Sequence, residues 1–416
     1  MGVAAQVVAY GFARYGYGLF LPDLRDRFGL LTSVLGLVNS VSYIGYLVAL
    51  LLVGALISRF GPRPMVVAAG LSAGVGLVTV ALARSAWALV AGLVVAGMAS
   101  GFSWAPFSDT ADRLLPDRTR ERVMALIPSG TAFGVTVAGP LALLTRGPNW
   151  RYAWLGFAVA WYAARVLPAG RHEGHAGHGN QRVVTPRWFL RPAAVPLYLT
   201  ALFYGVIGAF YWAFALEAVS DAAGEDSPVA PLFWTLMGLA GITSVFAGAF
   251  FLHLGLRLGQ AVLFTALAAS IALLGLAPGA LPAVVASAGL YGPAFMATSS
   301  LLALWSYRVF PEQPSTGFSA TVLALGIGTL IGPATLGAVA DRSGLRTAFL
   351  VTAAVTLVTL AFRPPARRPE DDAAGRKRRT TEAVGPSPVD GRVRRSAELA
   401  LLGGATQCEG LRPVRQ

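Results

Sequence analysis

Apolar residues form long runs along this chain, and short polar segments separate one run from the next. A helix needs about 20 apolar residues to cross the hydrocarbon core of a bilayer. By that measure the pattern predicts twelve spanning helices, which are numbered below as spans 1 to 12 in chain order. They cover 3–21, 34–57, 64–83, 87–107, 123–145, 152–168, 193–218, 229–252, 258–277, 281–305, 316–339 and 346–362.

The second half of the chain repeats marked positions of the first half at an offset of 194 residues. Tyr10, Gly11, Tyr17 and Phe20 recur as Tyr204, Gly205, Tyr211 and Phe214, and Gly54, Gly61 and Arg63 recur as Gly248, Gly255 and Arg257. Gly139-Pro140 recurs as Gly332-Pro333, one residue short of that offset. Three matches in the same order indicate a duplicated membrane unit, which is how many transporters build an alternating-access site.

The composition agrees with a membrane protein. Residues of the types AVILMFWYC make up 55% of the chain, DEKR make up 13%, and the mean hydropathy is +0.61. A water-soluble protein of this length needs more charge to cover its surface. The 48 glycines suit a helix bundle, because small residues let helices approach closely. Cys408 is the only cysteine, so the chain has no disulfide framework and no thiolate metal cluster.

The placement of positive charge predicts the orientation in the membrane. With both termini inside, the inner loops carry thirteen arginines and the outer loops seven, and the tail after residue 362 adds twelve lysines and arginines inside. This bias favours cytoplasmic termini and an even number of spans. We do not expect nucleic acid as a partner, since loop arginines of this kind hold the orientation.

Polar stretches divide the chain into four parts. We expect a six-helix bundle over 1–168, a cytoplasmic central loop over 169–192 and a second six-helix bundle over 193–362. Residues 363–416 are rich in Arg, Pro, Gly and acidic residues, a composition typical of a disordered cytoplasmic tail.

Twelve spans, two halves and a glycine-arginine loop after span 2 resemble the major facilitator superfamily (MFS), in which that loop reads G-x-x-x-D-R-x-G-x-R. The two copies here are Gly54-Ala-Leu-Ile-Ser58-Arg59-Phe60-Gly61-Pro62-Arg63 and Gly248-Ala-Phe-Phe-Leu252-His253-Leu254-Gly255-Leu256-Arg257. Span 1, from Gly11 to Pro22, is similar to a largely uncharacterised bacterial branch of that superfamily.

The resemblance implies an all-α membrane protein with twelve transmembrane helices in two pseudo-symmetric six-helix bundles. It also implies alternating access, a gating role for Gly54, Arg59, Gly61, Arg63, Gly248, Gly255 and Arg257, and a place in the bacterial plasma membrane. The family's acidic loop residue is Ser58 in the first copy and Leu252 in the second, so the family's charge contact at this position is not expected.

Gly328, Gly332, Pro333 and Gly337 resemble a motif that antiporters of the superfamily carry in helix 5; here this fuller copy falls in span 11, and span 5 keeps Gly139 and Pro140. Proline removes a backbone donor and bends a spanning helix, and glycines make room for the bend. The motif therefore indicates either a packing kink shared by both halves or an exporter.

Arg14 is the clearest candidate for a functional residue, because it lies inside span 1 with no run of polar residues beside it. A cation near mid-bilayer costs at least about 2.5 to 3.5 kcal/mol on insertion scales, so its side chain needs water, a partner or a ligand. In a regular helix Tyr10, Arg14 and Tyr17 share one face. The repeat places Tyr204, Gly208 and Tyr211 at the equivalent positions of span 7.

In the superfamily, helices 1, 4, 7 and 10 line the central cavity. A guanidinium there can bind a carboxylate through two charge-assisted hydrogen bonds. We expect a substrate cavity with Tyr10, Arg14, Tyr17, Trp104, Tyr204, Gly208, Tyr211 and Tyr291, and further wall candidates are Asn39, Tyr43, Tyr46 and Trp212. Two alternatives stay open for Arg14: an internal ion pair, for example with Asp109, and extension of the side chain to the membrane interface.

Acidic residues inside the spans are scarce. Asp109 and Glu217 are the candidates for proton coupling, which needs a carboxylate whose proton affinity changes with its surroundings. A facilitator without a coupling ion fits this scarcity equally well. The chain has no phosphate-binding loop for ATP, and the histidines between 172 and 178 lie in a glycine-rich segment that favours a solvated linker over a metal site.

The sequence thus predicts a permease, not an enzyme, that carries a small organic solute and favours an anion. Its partners are that solute, the lipid bilayer and, as a candidate, protons, and we expect it to function as a monomer without a cofactor. Two other functions stay open. One is a proton-linked exporter of hydrophobic compounds, and the other is a membrane receptor or scaffold with a transporter fold.

Overall fold

Helices are the only regular secondary structure in the part of the chain that the structure, a computed structural model, describes. That part comprises residues 7–114, 117–145, 149–166, 186–224 and 227–364, without the side chains of 104–129, 160–166 and a few other positions. It belongs to one unit, Met1–Pro365. The second unit, Ala366–Gln416, and most of the central loop lie outside the described residues.

The helices follow the predicted spans closely. They are α1 (Val7–Phe12, π-helical), α2 (Gly16–Leu19), α3 (Leu21–Phe28), α4 (Thr32–Phe60), α5 (Pro62–Leu82), α6 (Ala86–Leu114), α7 (Asp117–Leu144), α8 (Trp150–Val166), α9 (Pro186–Phe189), α10 (Val195–Ala223), α11 (Val229–Gly241), α12 (Ala247–Leu276), α13 (Leu281–Val309), α14 (Pro314–Ser343) and α15 (Leu345–Val358). Span 1 corresponds to α1 and α2, α3 follows it, span 2 corresponds to α4, and span 12 corresponds to α15.

Seven apolar segments are long enough to cross a membrane, and two shorter apolar helices add to them. One of the seven, Val229–Leu276, contains both span 8 and span 9. The two spans meet at Gly255, where the backbone leaves the helical conformation within α12. These segments account for ten of the predicted spans, and α1–α2 and α8 lie at the other two, spans 1 and 6. The predicted all-α membrane fold is confirmed.

Span 1 is the least regular of the predicted helices. Its first turn is a π-helix, the Tyr15 amide donates to the Tyr10 carbonyl oxygen at 3.1 Å, and helix geometry resumes only at Gly16. A regular helix was the basis for placing Tyr10, Arg14 and Tyr17 on one face. The widened turn shifts the residues that follow it, so Tyr10 and Arg14 line one cavity whereas the Tyr17 hydroxyl donates to the Leu35 carbonyl oxygen.

The two halves pack in the same way around their repeated glycines. Gly134 in span 5 sits against the backbone of Val7 in span 1, and Gly328 in span 11 sits against the backbone of Leu202 in span 7. The two glycines are 194 residues apart, the offset of the repeat. A side chain at either position would collide with backbone, so glycine is what permits these helix contacts.

The repeated loop motif forms the turns between spans 2 and 3 and between spans 8 and 9. Gly61 has φ 75° and ψ 179°, and Gly255 has φ 74° and ψ 170°. Only glycine adopts this conformation readily, which explains its presence in both copies. The side chains of Arg59 and Arg63 lie outside the described residues, whereas Arg257 Nε donates to the Pro364 carbonyl oxygen at 2.8 Å.

The start of the second half is held to the loop between α13 and α14. Arg191 Nη1 donates to the Val309 carbonyl oxygen at 3.0 Å and lies 3.3 Å from Oε2 of Glu312. A backbone hydrogen bond, together with the one from Arg191, lowers the pKa of the Glu312 carboxyl below its ordinary value. This contact fixes where α10, the helix of span 7, begins.

The close contact between spans 2 and 4 gives a first test of the fold. A methyl group on Gly45 would collide with the Val94 carbonyl oxygen, whereas Gly54 on the same helix has open space. We expect Gly45→Ala to lower the free energy of unfolding by about 1–3 kcal/mol, as overpacking does in cores. Gly54→Ala is the matched control, and its melting temperature in detergent should stay at or above that of the wild type. Equal melting temperatures for the two variants would contradict this packing.

Candidate functional site

A small cavity lies between the two halves, at the level of Arg14. Its volume is about 30 Å³, which holds about two water molecules. Spans 1 and 2 supply one side, and spans 7, 10 and 11 supply the other. It is lined by Tyr10, Arg14, Tyr15, Tyr43, Tyr204, Gly205, Gly208, Ala209, Trp212, Phe295, Ser299, Leu325 and Thr329.

Arg14 is buried, with 8% of its surface exposed, and aromatic rings surround its guanidinium. Its Cζ atom lies 4.1 Å from the ring centre of Tyr46, 4.8 Å from that of Tyr43 and 5.3 Å from that of Tyr10. The faces of aromatic rings attract cations, and a desolvated contact can contribute about 2 kcal/mol. The rings therefore offset part of the cost of burying this charge.

The hydrogen-bonding capacity of Arg14 is not exhausted by these neighbours. Nη1 donates to Ser100 Oγ at 3.2 Å, while Nε has no acceptor among the described residues. Within that part of the chain no carboxylate lies within ion-pair distance of Arg14. The side chain of Asp109, the predicted partner, lies outside the described residues. Such a guanidinium can still accept an anion by charge-assisted hydrogen bonds.

The second half supplies an aromatic wall opposite Arg14. Trp212 stacks on Tyr15 across the two halves, with ring centres 4.2 Å apart, and its buried Nε1 has no acceptor among the described residues. The Tyr204 hydroxyl lies 2.7 Å from the Phe295 carbonyl oxygen and 3.1 Å from Ser299 Oγ. The aromatic wall therefore consists of Tyr204 and Trp212 of span 7 and Phe295 of span 10, and these contacts hold it in place.

The structure brings together only part of the set of site residues predicted from the sequence. Tyr10, Arg14, Tyr204 and Gly208 line the cavity. Tyr17 instead donates to the Leu35 carbonyl oxygen at 2.9 Å, and Tyr211 bonds Ser287 Oγ at 2.8 Å. Tyr291 stacks on Tyr211 behind the wall, and the Trp104 side chain lies outside the described residues.

Tyr15 is the aromatic lining residue of span 1 that the sequence analysis missed. The other lining residues that were not predicted from the sequence are Gly205, Ala209, Phe295, Ser299, Leu325 and Thr329. In a regular helix Tyr15 lies about 100° away from Arg14, which would turn it out of the cavity. The π-helical turn brings both residues to the same cavity. One sequence feature could have indicated Tyr15: residues 10–17 contain three tyrosines close to one arginine.

Ion pairs join the two halves at the end of the bundle where span 1 ends. Arg25 Nη1 lies 2.8 Å from Oε1 of Glu217, and Nη2 lies 3.3 Å from Oδ1 of Asp221. Glu217 is 1% exposed, and its Oε2 has no described partner. Asp341 accepts from the Ser33 amide at 3.2 Å, also across the halves. Glu217, a predicted coupling residue, thus belongs to this contact and not to the cavity lining.

The repeated Gly-Pro pairs lie at the same interface. Gly36 of span 2 packs on the Pro333 carbonyl group of span 11, and Gly139 of span 5 packs on Pro231 of span 8. Pro333 lies inside α14, where it supplies no backbone donor, and the next amide, that of Ala334, donates to Ser40 Oγ at 3.0 Å. Gly36 and Gly139 therefore let the backbones of the two halves approach closely.

Two halves that are built alike and close on a cavity lined by a buried arginine are typical of a transporter of the major facilitator class. The model of the family described as "Uncharacterised MFS-type transporter YbfB" matches residues 6–362, and the chain belongs to that family. The family and fold predicted from the sequence are thereby confirmed. The protein is a multi-pass membrane transporter.

Three curated relatives share a large part of the chain. The transcription regulatory protein OpdE of Pseudomonas aeruginosa is 31% identical over 309 residues, 70% of this chain and 74% of OpdE. The uncharacterized MFS-type transporter YwfA of Bacillus subtilis is 25% identical over 86% of this chain and 89% of its own. The probable sulfoacetate transporter SauU of Cupriavidus necator is 25% identical over 80% and 84%.

The fold is also similar to that of the xylose transporter XylE from E. coli in a partially occluded inward open conformation. The TM-score is 0.68 at 15% identity, and the match covers 87% of this chain and 95% of XylE. At this identity the similarity concerns the fold alone.

The ion pairs at the closed interface yield a second test. Arg25→Ala leaves the Glu217 carboxylate buried without its cation, which costs roughly 1–3 kcal/mol or more in the closed form. We expect the variant to populate a form in which this end is open. The measurement is labelling of Asn39→Cys, 3% exposed in the wild-type fold, by a hydrophilic thiol reagent in a Cys408→Ser background.

The matched control is Asp221→Asn, because the Asp221 side chain is 48% exposed and surface ion pairs contribute little. Labelling should accelerate in Arg25→Ala and stay near the reference rate in Asp221→Asn. Equal rates in both variants would contradict a closing role for the Arg25–Glu217 pair.

Proposed function

We propose that this protein carries a small organic anion across the bacterial plasma membrane by alternating access, with the anionic group bound at Arg14. The observation that supports it most is a guanidinium with an unused donor at a cavity between the two halves. Burial strengthens a charge-assisted hydrogen bond and makes an unpaired charge costly. An anion that enters the cavity gives Arg14 the partner that the described residues do not supply.

The small size of the cavity supports a mechanism in which the two halves separate to admit the solute. A volume of about 30 Å³ is too small for a solute of several heavy atoms, so the two halves must separate before it enters. The contacts around Gly36, Gly139 and Arg25 close one end in this conformation. With cytoplasmic termini, as the loop charges predict, that end is the outer one. Rocking about the cavity would open each end in turn.

The chemistry of a relative supports an anionic solute. SauU is named as a probable sulfoacetate transporter, and sulfonates and carboxylates present similar oxygen acceptors to a guanidinium. Glu217 stays the candidate for proton coupling that the described residues contain. In that role it would act through its pair with Arg25 at the interface, since the carboxylate does not line the cavity.

A second candidate function is that of a membrane-bound regulator with a transporter fold. The name of OpdE, a transcription regulatory protein, supports it. A regulator would bind its solute at Arg14 without moving it across the membrane. Flux into proteoliposomes separates the two functions, because only a carrier accumulates or equilibrates the solute.

The proposal predicts stabilisation by anions that depends on Arg14. Sulfoacetate, acetate and other short carboxylates should raise the melting temperature of the purified protein, since a ligand at 100 times its Kd adds about 2.7 kcal/mol. Arg14→Ala should abolish the shift and Arg14→Lys should retain part of it, because lysine keeps the charge and loses the two-pronged geometry. Arg27→Ala, at an exposed arginine, is the control and should behave as the wild type.

Uptake of the same anions into proteoliposomes completes the test. Wild-type flux that Arg14→Ala loses would agree with the proposal. If lipophilic cations are carried and Arg14→Ala transports them normally, the protein is an exporter of hydrophobic compounds and the anion site is refuted. Binding without flux would indicate the regulator.

A further inference from the structure

Phe295 occupies the space that a side chain at position 208 would fill. A methyl group built on Gly208 would lie 2.5 Å from Cε2 and 3.1 Å from Cζ of the Phe295 ring. Both residues line the cavity, and Phe295 is 7% exposed. Gly208 is the repeat equivalent of Arg14, and Gly101 is the repeat equivalent of Phe295. The second half thus has a small residue on span 7 where the first half has a large one on span 1.

Other rings surround Phe295 on the sides that face the protein. Its ring stacks on Tyr291 at 5.2 Å between ring centres, and it lies 5.5 Å from Trp212 and 4.8 Å from Tyr204. The Tyr204 hydroxyl also holds the Phe295 backbone. Because these sides are occupied, the free space beside the ring is the small cavity, and a side chain at position 208 would push the ring toward it.

We propose that Phe295, seated over Gly208, is the wall that sets the size of the solute. This inference rests on the proposed function for one point, which is that the solute is an anion. The size limit itself is independent of that point. Arg14 holds the charged group from the first half, and the ring of Phe295 limits the uncharged body from the second half. The solute class is accordingly a short-chain anion whose body extends toward an aromatic wall.

Two substitutions move the wall in opposite directions. Gly208→Ala displaces the ring from its seat, and the cavity is the direction left open to it, so the available length becomes shorter. Phe295→Leu keeps an apolar side chain and removes the ring, so the available length becomes greater. Leucine in place of alanine limits the loss of packing that a buried Phe→Ala substitution causes. Gly289→Ala, in open space on the helix of Phe295, is the matched control.

The first experiment does not depend on the solute. Thr329→Cys, in a Cys408→Ser background, places a thiol on the cavity wall. Methyl and benzyl methanethiosulfonate, both uncharged, label it at rates whose ratio cancels the frequency with which the protein opens. Phe295→Leu should raise the benzyl-to-methyl ratio by about tenfold, Gly208→Ala should lower it, and Gly289→Ala should leave it unchanged. An unchanged ratio in both site variants overturns the inference.

The second experiment measures uptake of straight-chain carboxylates of increasing length into proteoliposomes. The longest carried chain should become shorter in Gly208→Ala and longer in Phe295→Leu, while Gly289→Ala keeps the wild-type limit. If the labelling ratios shift but the wild type carries no anion, Phe295 is the size-limiting wall and the proposed anion transport is refuted. If anions are carried with the same limit in all variants, transport stands and the size-limiting role of Phe295 is refuted.

Discussion

The buried positive charge of Arg14 is the constraint on which the rest of the site depends. The guanidinium of Arg14 lies inside a membrane-spanning bundle, where an unpaired cation is costly. Tyrosine rings and hydroxyls and one serine hydroxyl lower that cost, but they are neutral groups, and no carboxylate among the described side chains pairs with the charge. The cationic side of the cavity belongs to the first half and the aromatic wall to the second. On the proposed function, one solute touches both halves, so its binding depends on how far apart they stand.

The interface that closes the cavity at one end is built from small residues and a few charges. Glycines beside Pro333 and Pro231 let the halves approach backbone to backbone, and Arg25 adds a partly buried ion pair. Dispersion contacts of this kind are weak one by one and are lost together when the surfaces separate. On the proposed function, this interface opens and closes in turn, as alternating access requires.

The duplicated sequence also shows how one fold makes an asymmetric site. Tyr10 and Tyr204 are repeat equivalents and both line the cavity, whereas Tyr17 and Tyr211 are equivalents that both form hydrogen bonds outside it. The symmetry fails at Arg14, whose equivalent is Gly208. The exchange of Arg14 for Gly208 places the charge on the side of the first half. The exchange of Gly101 for Phe295 places a ring on the side of the second half, so the site is asymmetric at more than one repeated position.

The sequence by itself determined the all-α membrane fold, the twelve spans and the family, because apolar runs of spanning length and repeated glycines are local signals. It also identified Arg14, since a charge inside an apolar run needs no structure to be noticed. Only the tertiary structure decided which tyrosines surround it. The π-helical turn before Tyr15 and the seat of Phe295 over Gly208 arise from packing between helices, and neither follows from a regular 3.6-residue period.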